Sequence, residues 1–244
     1  MNPYETQKLR DEYLLFHFGT AEEILPYPEG PTEALGFAVR TVTETLPATP
    51  VTCALDLGCA VGRSAFELSA FCESVTAIDF SGAFIAAARE LQHHGTLDYL
   101  RLEEGNVSTP LVARLPAHAR PDRVQFETGD ATDLRPDLGS FDIVHAANLI
   151  CRLPEPAKLL KRLPTLVNQG GTLVITTPCT WLGEFTPPEH WPKGPTLEWL
   201  KESLAPAFTL TRSLNMPFLI RETARKFQWT VAEASVWTRV YSLG

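Results

Sequence analysis

The feature that most constrains the fold is a glycine-rich turn set between an apolar run and a helix-like segment. Residues 51–57 form the apolar run, Gly58 and Gly62 follow, and residues 63–71 have the pattern of a helix. The same order of strand and helix continues to residue 178. Because alternating strands and helices fold into a parallel sheet with helices on both faces, this order predicts a doubly wound α/β fold.

The remaining elements follow from the same periodicities. Ser81 can cap a helix, because its hydroxyl can accept from backbone N–H groups of the first turn, and Gly95 suits the end of that helix. Residues 96–122 alternate only at 97–102, so we expect an insertion there, either a hairpin or an irregular excursion. The predicted strands are 51–57, 74–78, 123–127, 141–148, 172–177, 208–213 and 227–237, and the predicted helices are 63–71, 82–94, 156–166 and 196–204.

These elements predict one domain over 1–244, built on a mostly parallel seven-stranded sheet. Residues 1–45 are expected to form a helical N-terminal lid, and residues 50–180 the core that holds a ligand. Residues 181–244 are expected to form a cap that ends in two antiparallel strands. The cap begins with a stretch rich in tryptophan and proline, which is typical of a structured loop.

The charge balance disfavours partners that present phosphate backbones. The chain has 21 Lys and Arg against 29 Asp and Glu, a formal net charge of −8, whereas gripping nucleic acid requires a surplus of cations. No stretch approaches the ~20 apolar residues of a membrane span. The N-terminus lacks the basic and apolar pattern of a signal peptide, so we expect a cytoplasmic protein.

The cysteines give no sign of a disulfide framework or a metal site. They are five in number and never in C-x-x-C spacing, and no H-E-x-x-H pattern is present. Small buried thiols in a reducing compartment are the simplest interpretation. We therefore expect no metal.

The glycine turn favours one nucleotide-like ligand over another. A dinucleotide fingerprint needs a very small residue where this chain has Arg63. A site for S-adenosylmethionine (SAM) has the pattern D-x-G-x-G-x-G, which is met by Asp56, Gly58 and Gly62, with Ala60 replacing one glycine. An acid beside the turn suits the ammonium and sulfonium charges of SAM. A tight strand–helix turn that binds nothing is the alternative.

Two more acids support a cofactor site. Asp79 ends the second strand and can accept hydrogen bonds from both ribose hydroxyls. Asp130 follows the third strand, where its carboxylate can accept from the adenine amine and the Ala131 N–H can face a ring nitrogen. With these acids, residues 50–180 resemble the class I SAM-dependent methyltransferases. The predicted cofactor site is Arg40, Asp56, Gly58, Cys59, Ala60, Gly62, Asp79, Phe80, Asp130, Ala131 and Asn148.

The segment 141–152 should bring the methyl acceptor to the cofactor, because its strand ends at the same edge of the sheet. The Asn/Asp-Pro-Pro-aromatic pattern of many nucleobase methyltransferases is absent, which again disfavours nucleic acid. Asn148 is the residue best placed near the reacting centre, with a loop cap as the alternative. His145 lies mid-strand, where a hydrogen-bonded core residue is expected, and Arg40 could hold the SAM carboxylate.

Both ends of the chain carry longer motifs. Residues 2–19 read NPYETQKLRDEYLLFHFG and residues 216–229 read MPFLIRETARKFQW. Together with LDLGCAVGR at 55–63 and TWL at 180–182, they resemble the N-methyltransferases of ovothiol biosynthesis. The resemblance implies methyl transfer from SAM to the imidazole Nπ of 5-thiohistidine (4-mercaptohistidine).

The implied reaction needs a substrate nitrogen with a free lone pair, which a base or selection of the right tautomer can provide. It also needs a cation that binds the substrate carboxylate. The N-terminal segment can provide the base or select the tautomer if it folds over the site as a lid, although it can equally be an amphipathic helix packed on the core. Arg221 and Arg225, four residues apart, can instead be a solvated helix face, and Trp181 can be ordinary core. The predicted catalytic residues are Tyr13, His17 and Asn148, and the predicted substrate-binding residues are Tyr4, Glu5, Tyr13, Arg152, Trp181, Arg221 and Arg225.

Two other functions remain open from the sequence. The chain could methylate another small amine, phenol or thiol, or it could be a non-catalytic subunit that retains a SAM site. The expected partner is a small-molecule substrate, a zwitterion like thiohistidine, and neither a nucleic acid nor a membrane is expected as a partner. The oligomeric state is left open by the sequence.

Overall fold

The strand–helix alternation does form a sheet in the computed structural model, which describes residues 3–241. Residues 1–2 and 242–244, the outermost parts of the predicted lid and cap, lie outside the described residues. The strands are β1 Val51–Leu57, β2 Cys72–Asp79, β3 Thr96–Glu104, β4 Val107–Arg114, β5 Val124–Thr128, β6 Phe141–Ala147, β7 Val167–Thr177, β8 Phe208–Arg221 and β9 Phe227–Arg239. The α-helices are α1 Gln7–Phe18, α2 Ala21–Ile24, α3 Phe37–Thr43, α4 Arg63–Leu68, α5 Gly82–His94, α6 Pro156–Leu166 and α7 Thr196–Leu204.

The main sheet has seven strands in the order β5-β2-β1-β6-β7-β9-β8. Strands β5, β2, β1, β6 and β7 pair in parallel, and β9 and β8 pair antiparallel. The predicted fold class is therefore confirmed. The strand order reverses between β1 and β6, and such sheets bind ligands at the carboxyl ends of the strands beside that switch point.

Helices cover both faces of this sheet, so its central strands are apolar on both sides. Ala54 of β1 belongs to the core cluster formed with α1, α4 and α5. Leu55 and Leu57 belong to a second cluster with α6 and α7. Because neighbouring side chains of a strand point to opposite faces, Asp56 lies on the same face as Ala54, beneath α1 and α4.

The predicted insertion is a separate two-stranded sheet, β3–β4. It packs against α1, where the buried Asp11 accepts from the Leu100 N–H at 3.3 Å. It also contacts the end of β8, because the Arg221 guanidinium pairs with the Glu103 carboxylate at 2.6 Å. Helix α1 is thus held in place by a hairpin inserted far from it in the sequence.

Strand β8 is longer than predicted, because it stays paired with β9 as far as the hairpin turn. Arg221 is its last residue and Arg225 lies in the turn, so the suggestion that they share a helix face is wrong. Pro217 within β8 lacks a backbone N–H, and it is tolerated because β8 is an edge strand.

None of the described helices is long and apolar enough to cross a membrane. The longest of them, α5, has 13 residues, whereas a span needs about 20.

The turn between β1 and α4 uses left-handed backbone conformations that favour glycine. Gly62 has φ = 90°, and a Cβ added there would lie 2.7 Å from Cζ of Phe126. Ala60, which replaces a glycine of the expected pattern, has φ = 47° and nevertheless keeps its methyl group buried. The turn therefore stores strain at Ala60 and leaves no room for a side chain at Gly62.

Replacing Ala60 by glycine should change the free energy of unfolding by less than about 0.5 kcal/mol, because relief of the left-handed strain offsets the lost methyl burial. Gly62→Ala should cost at least about 2 kcal/mol through strain and overpacking. Urea denaturation of both variants measures this difference. A loss above about 1.5 kcal/mol for Ala60→Gly would contradict the assignment of strain to Ala60.

Candidate active site

The three predicted acids lie at the carboxyl ends of three adjacent parallel strands. Asp79 is the last residue of β2, Asp56 is the second to last of β1, and Asp130 follows β5 by two residues. Asp56 is close enough to Asp79 to contribute to the raised pKa of the Asp79 carboxyl. The sequence pattern therefore identified side chains that share one edge of the sheet.

Asp79 connects the glycine turn to the start of α5. Its Oδ2 accepts from the Ala60 N–H at 2.8 Å and its Oδ1 accepts from the Ser81 N–H at 2.8 Å. Burial raises the pKa of this carboxyl to about 6, and the nearby Asp56 and Glu5 carboxylates add to the rise. Asp79 is thus ionised at neutral pH but has lost most of its hydration, which favours a ligand that donates hydroxyl groups to it.

Asp130 begins a loop that its own side chain closes. Its Oδ1 accepts from both the N–H and the hydroxyl of Thr132, each at 2.7 Å. Asp130 thus caps its own loop, and this cap occupies one of its two carboxylate oxygens. Ala131 is buried against the second core cluster, whereas the ring of Phe80 is 63% exposed.

The N-terminal segment lies over this edge. The Ser81 hydroxyl donates to the Tyr4 carbonyl at 2.8 Å. The Glu5 carboxylate accepts from the N–H groups of Gly82 at 2.9 Å and Ala83 at 3.2 Å, in the first turn of α5. A carboxylate is favoured there, because the free N–H groups and the helix dipole are positive at that end. Glu5 therefore fastens the segment to α5.

Two tyrosines, two phenylalanines and one arginine form a connected group; we call Tyr4, Tyr13, Phe84, Phe185 and Arg152 the aromatic cluster. The Tyr13 ring lies 4.7 Å from that of Phe84, and the Tyr4 ring lies 6.1 Å from those of Tyr13 and Phe185. The Arg152 guanidinium stacks 4.9 Å from the Phe185 ring centre, and the Tyr4 side chain is hydrogen-bonded to Arg152 and Tyr13. The segment 3–18 thus reaches across from β2 to the end of β6.

Burial keeps three side chains of the N-terminal segment neutral, those of Tyr4, Tyr13 and His17. It raises the pKa of the Tyr4 and Tyr13 hydroxyls, and it lowers the pKa of His17 to about 3, assisted by the charge of Arg63. A base of pKa 3 takes up almost no proton at neutral pH. In this closed arrangement the three side chains suit neutral hydrogen bonding better than proton removal.

Asn148 follows β6 with a left-handed backbone, φ = 52°. Its N–H donates to the Thr176 carbonyl at 2.8 Å, and its carboxamide oxygen accepts from the Thr176 hydroxyl at 3.0 Å. Such conformations in residues other than glycine persist only where the surroundings impose them, and they cluster at functional sites. The structure fixes this side chain between the ends of β6 and β7.

Several predicted residues have other partners in the structure. Arg40 donates to the carbonyls of Leu35 and Pro217. Arg221 is buried, and Arg225 is exposed in the β8–β9 turn. Trp181 donates to the Thr196 hydroxyl at 3.1 Å and packs on the second core cluster. Of the three arginines predicted to bind a carboxylate, Arg152 is the one in the aromatic cluster.

Sequence reasoning did not single out Phe84 and Phe185 as site residues, although they complete the cluster. Phe84 lies on the buried face of α5, where its spacing predicts only core packing. Phe185 lies in the cap, and the hydrogen bond of the Thr186 hydroxyl to the Leu153 carbonyl at 2.7 Å holds that loop near Arg152. Within residues 3–241 no group of His, Cys, Asp or Glu side chains could hold a metal ion.

Known proteins with similar sequences include methyltransferases. Residues 55–175 match the family model of the methyltransferase domain. Methyltransferase str2 of Strobilurus tenacellus is 34% identical over 62 residues, which are 25% of this chain and 22% of that protein. The chain thus spans about a fifth of the length of this relative.

Solved structures show the same fold. The N-methyltransferase NodS from Bradyrhizobium japonicum, in complex with S-adenosylhomocysteine, has a TM-score of 0.56 at 12% identity, covering 94% of this chain and 98% of its own. The [4+2]-cyclase SpnF has a TM-score of 0.53 at 17% identity, covering 83% and 80%. Residues 55–175 therefore match a methyltransferase domain, and the seven-stranded sheet has the fold of the class I methyltransferases.

Proposed function

We propose that the protein transfers the methyl group of SAM to the imidazole Nπ of 5-thiohistidine. The sequence resemblance supports this acceptor, and residues 3–18, which carry much of the resemblance, cover the carboxyl edge of the sheet. The observation that carries the proposal is the aromatic cluster, in which a guanidinium lies among flat rings and neutral hydroxyls beside the β6 end. This surface suits a small zwitterion with a planar ring.

In this proposal the cofactor lies over the glycine turn. The Asp79 carboxylate accepts from the ribose hydroxyls, and Asp130 with the Ala131 N–H recognises the adenine edge. The exposed Phe80 ring, next to Asp79, can stack on the adenine. Asp56 contributes negative charge toward the methionine end of SAM, which carries an ammonium and a sulfonium.

The acceptor is proposed to lie between Asn148 and the aromatic cluster. The Arg152 guanidinium pairs with its carboxylate. The Nπ lone pair then attacks the methyl carbon in line with the breaking C–S bond, S-adenosylhomocysteine leaves, and the methylated substrate releases one proton to solvent. Holding the nitrogen and the methyl carbon at near-attack distance supplies much of the acceleration. Since Tyr4 and Tyr13 are neutral, we propose that they select the tautomer with a free lone pair on Nπ.

The proposed reaction can be tested directly. Incubation of the protein with SAM and 5-thiohistidine should give a product heavier by one methylene group, together with stoichiometric S-adenosylhomocysteine, detected by mass spectrometry. Histidine in place of 5-thiohistidine is the matched control and should turn over far more slowly. Turnover of a different amine, phenol or thiol, without turnover of 5-thiohistidine, would contradict the proposed acceptor.

The affinity for S-adenosylhomocysteine should fall as the pH drops below about 6, because ribose hydroxyls donate to the ionised Asp79 and its pKa is raised to about 6. One proton taken up per site weakens binding about tenfold per pH unit below that value. Calorimetric titration between pH 5 and 7.5 measures this slope. Asp79→Asn should bind weakly with no such slope, whereas a flat profile in the wild-type protein would exclude the ribose role.

Replacing Arg152 by methionine should raise the KM for 5-thiohistidine by about 10- to 100-fold, because a charge-assisted contact to the carboxylate is lost. The affinity for S-adenosylhomocysteine should change little. Arg225→Met is the matched control, since that guanidinium lies in an exposed turn. Initial-rate kinetics distinguish the two arginines, and a larger effect at Arg225 would place the carboxylate elsewhere.

A further inference from the structure

The carboxylate of Asp56 is buried and held by two side chains. It is 1% exposed. Its Oδ2 accepts from the Ser64 hydroxyl at 2.7 Å, and its Oδ1 lies 2.7 Å from Nδ1 of His145. Ser64 is in the first turn of α4 and His145 is in β6, so the carboxylate links β1, on which it lies, to both α4 and β6.

His145 is placed for this contact by the sheet itself. Strands β1 and β6 pair in parallel with Asp56 and His145 as register partners. The imidazole is completely buried, and its Nε2 has no hydrogen-bond partner among the described residues. A bond from Nδ1 to a carboxylate requires the proton on Nδ1, which fixes the tautomer of a neutral ring. A histidine needed only for packing would gain nothing from leaving a buried nitrogen unpaired.

The remaining charged groups near Asp56 do not neutralise it. Arg63, seven residues along the chain, pairs instead with Glu67 at 2.8 Å. His17 faces the same region from α1, but burial lowers its pKa to about 3 and it stays neutral. Within the described residues no lysine or arginine side chain forms an ion pair with Asp56. A carboxylate has about four lone-pair sites, so two remain after the bonds to Ser64 and His145.

We propose that His145 is a positioning residue for the cofactor: by donating its Nδ1 proton to Asp56 it fixes the carboxylate so that its negative charge faces the α-ammonium of SAM. This inference rests on the part of the proposed function that assigns Asp56 to the methionine end. The sequence predicts only a hydrogen-bonded core residue at His145. In the proposal, recognition of the α-ammonium of SAM also depends on the His145 imidazole.

Comparing the affinities of two ligands distinguishes a positioning role of His145 from a role in packing alone. S-adenosylhomocysteine carries the α-ammonium, and its deamino analogue lacks it. The ratio of their dissociation constants in the wild-type protein measures recognition of the ammonium. In His145→Leu this ratio should fall about tenfold, the size expected for losing a hydrogen bond to a charged group. In His145→Asn, whose amide can replace the Nδ1 donor, the ratio should return to within about threefold of wild type.

Damage that is only structural would weaken both ligands equally, so an unchanged ratio in His145→Leu would overturn the proposal. On an Asp56→Asn background, His145→Leu should have no further effect on the ratio, and an undiminished effect would also overturn it. These measurements contain no methyl acceptor, so they succeed or fail independently of the 5-thiohistidine assignment.

A second measurement needs no variant, should His145→Leu fail to fold. In the wild-type protein labelled with ¹⁵N-histidine, the buried His145 ring should carry a slowly exchanging proton on Nδ1. A ring protonated only at Nε2 would mean that it does not donate to Asp56, and the proposal would be wrong.

Discussion

At the edge of the sheet where the parallel strands end, the arrangement of the loops depends on two hydrogen bonds. Asp79 accepts them from the backbone N–H groups of Ala60 and Ser81. The first bond secures the strained glycine turn, and the second fixes the residue that caps α5. The Ser81 hydroxyl in turn donates to the Tyr4 carbonyl, which places the aromatic cluster. A single side chain, Asp79, therefore connects the glycine turn to the N-terminal segment that covers it.

This arrangement costs stability and prepares the site for a ligand. Because burial raises the pKa of Asp79 to about 6, above its ordinary value of 3.8, the ionised form is the less favoured one in the folded protein. The cost is fully present above pH 6 and disappears as the pH falls below the unfolded pKa. A ligand that donates two hydroxyl groups to this carboxylate would offset that cost.

Local patterns were sufficient to predict the core elements and the three acids, because strand ends, caps and glycine turns are set by near neighbours in the sequence. Helices 82–94, 156–166 and 196–204 have the predicted bounds. The partners of the acids were not predictable, since the pairing of Asp56 with His145 depends on the register of two strands far apart in the sequence. Arg221 and Arg225 were misplaced because their four-residue spacing also occurs across a hairpin turn. Phe185 lies near Arg152 only through the folding of the cap.

The fold alone does not choose the acceptor, since similar sheets occur in a methyltransferase and in a cyclase. In the proposed function, the choice is made by what lies over the sheet, namely the N-terminal segment and Arg152 in the turn after β6. The neutral tyrosines and His17 would then suit a substrate that needs orientation and tautomer selection more than it needs a strong base.

The most direct test of this account is a crystal structure with S-adenosylhomocysteine and 5-thiohistidine bound together. The account predicts the ribose hydroxyls on Asp79, the substrate carboxylate on Arg152, and the imidazole Nπ directed at the cofactor sulfur. A substrate bound away from the aromatic cluster, or with Nπ turned from the sulfur, would contradict it.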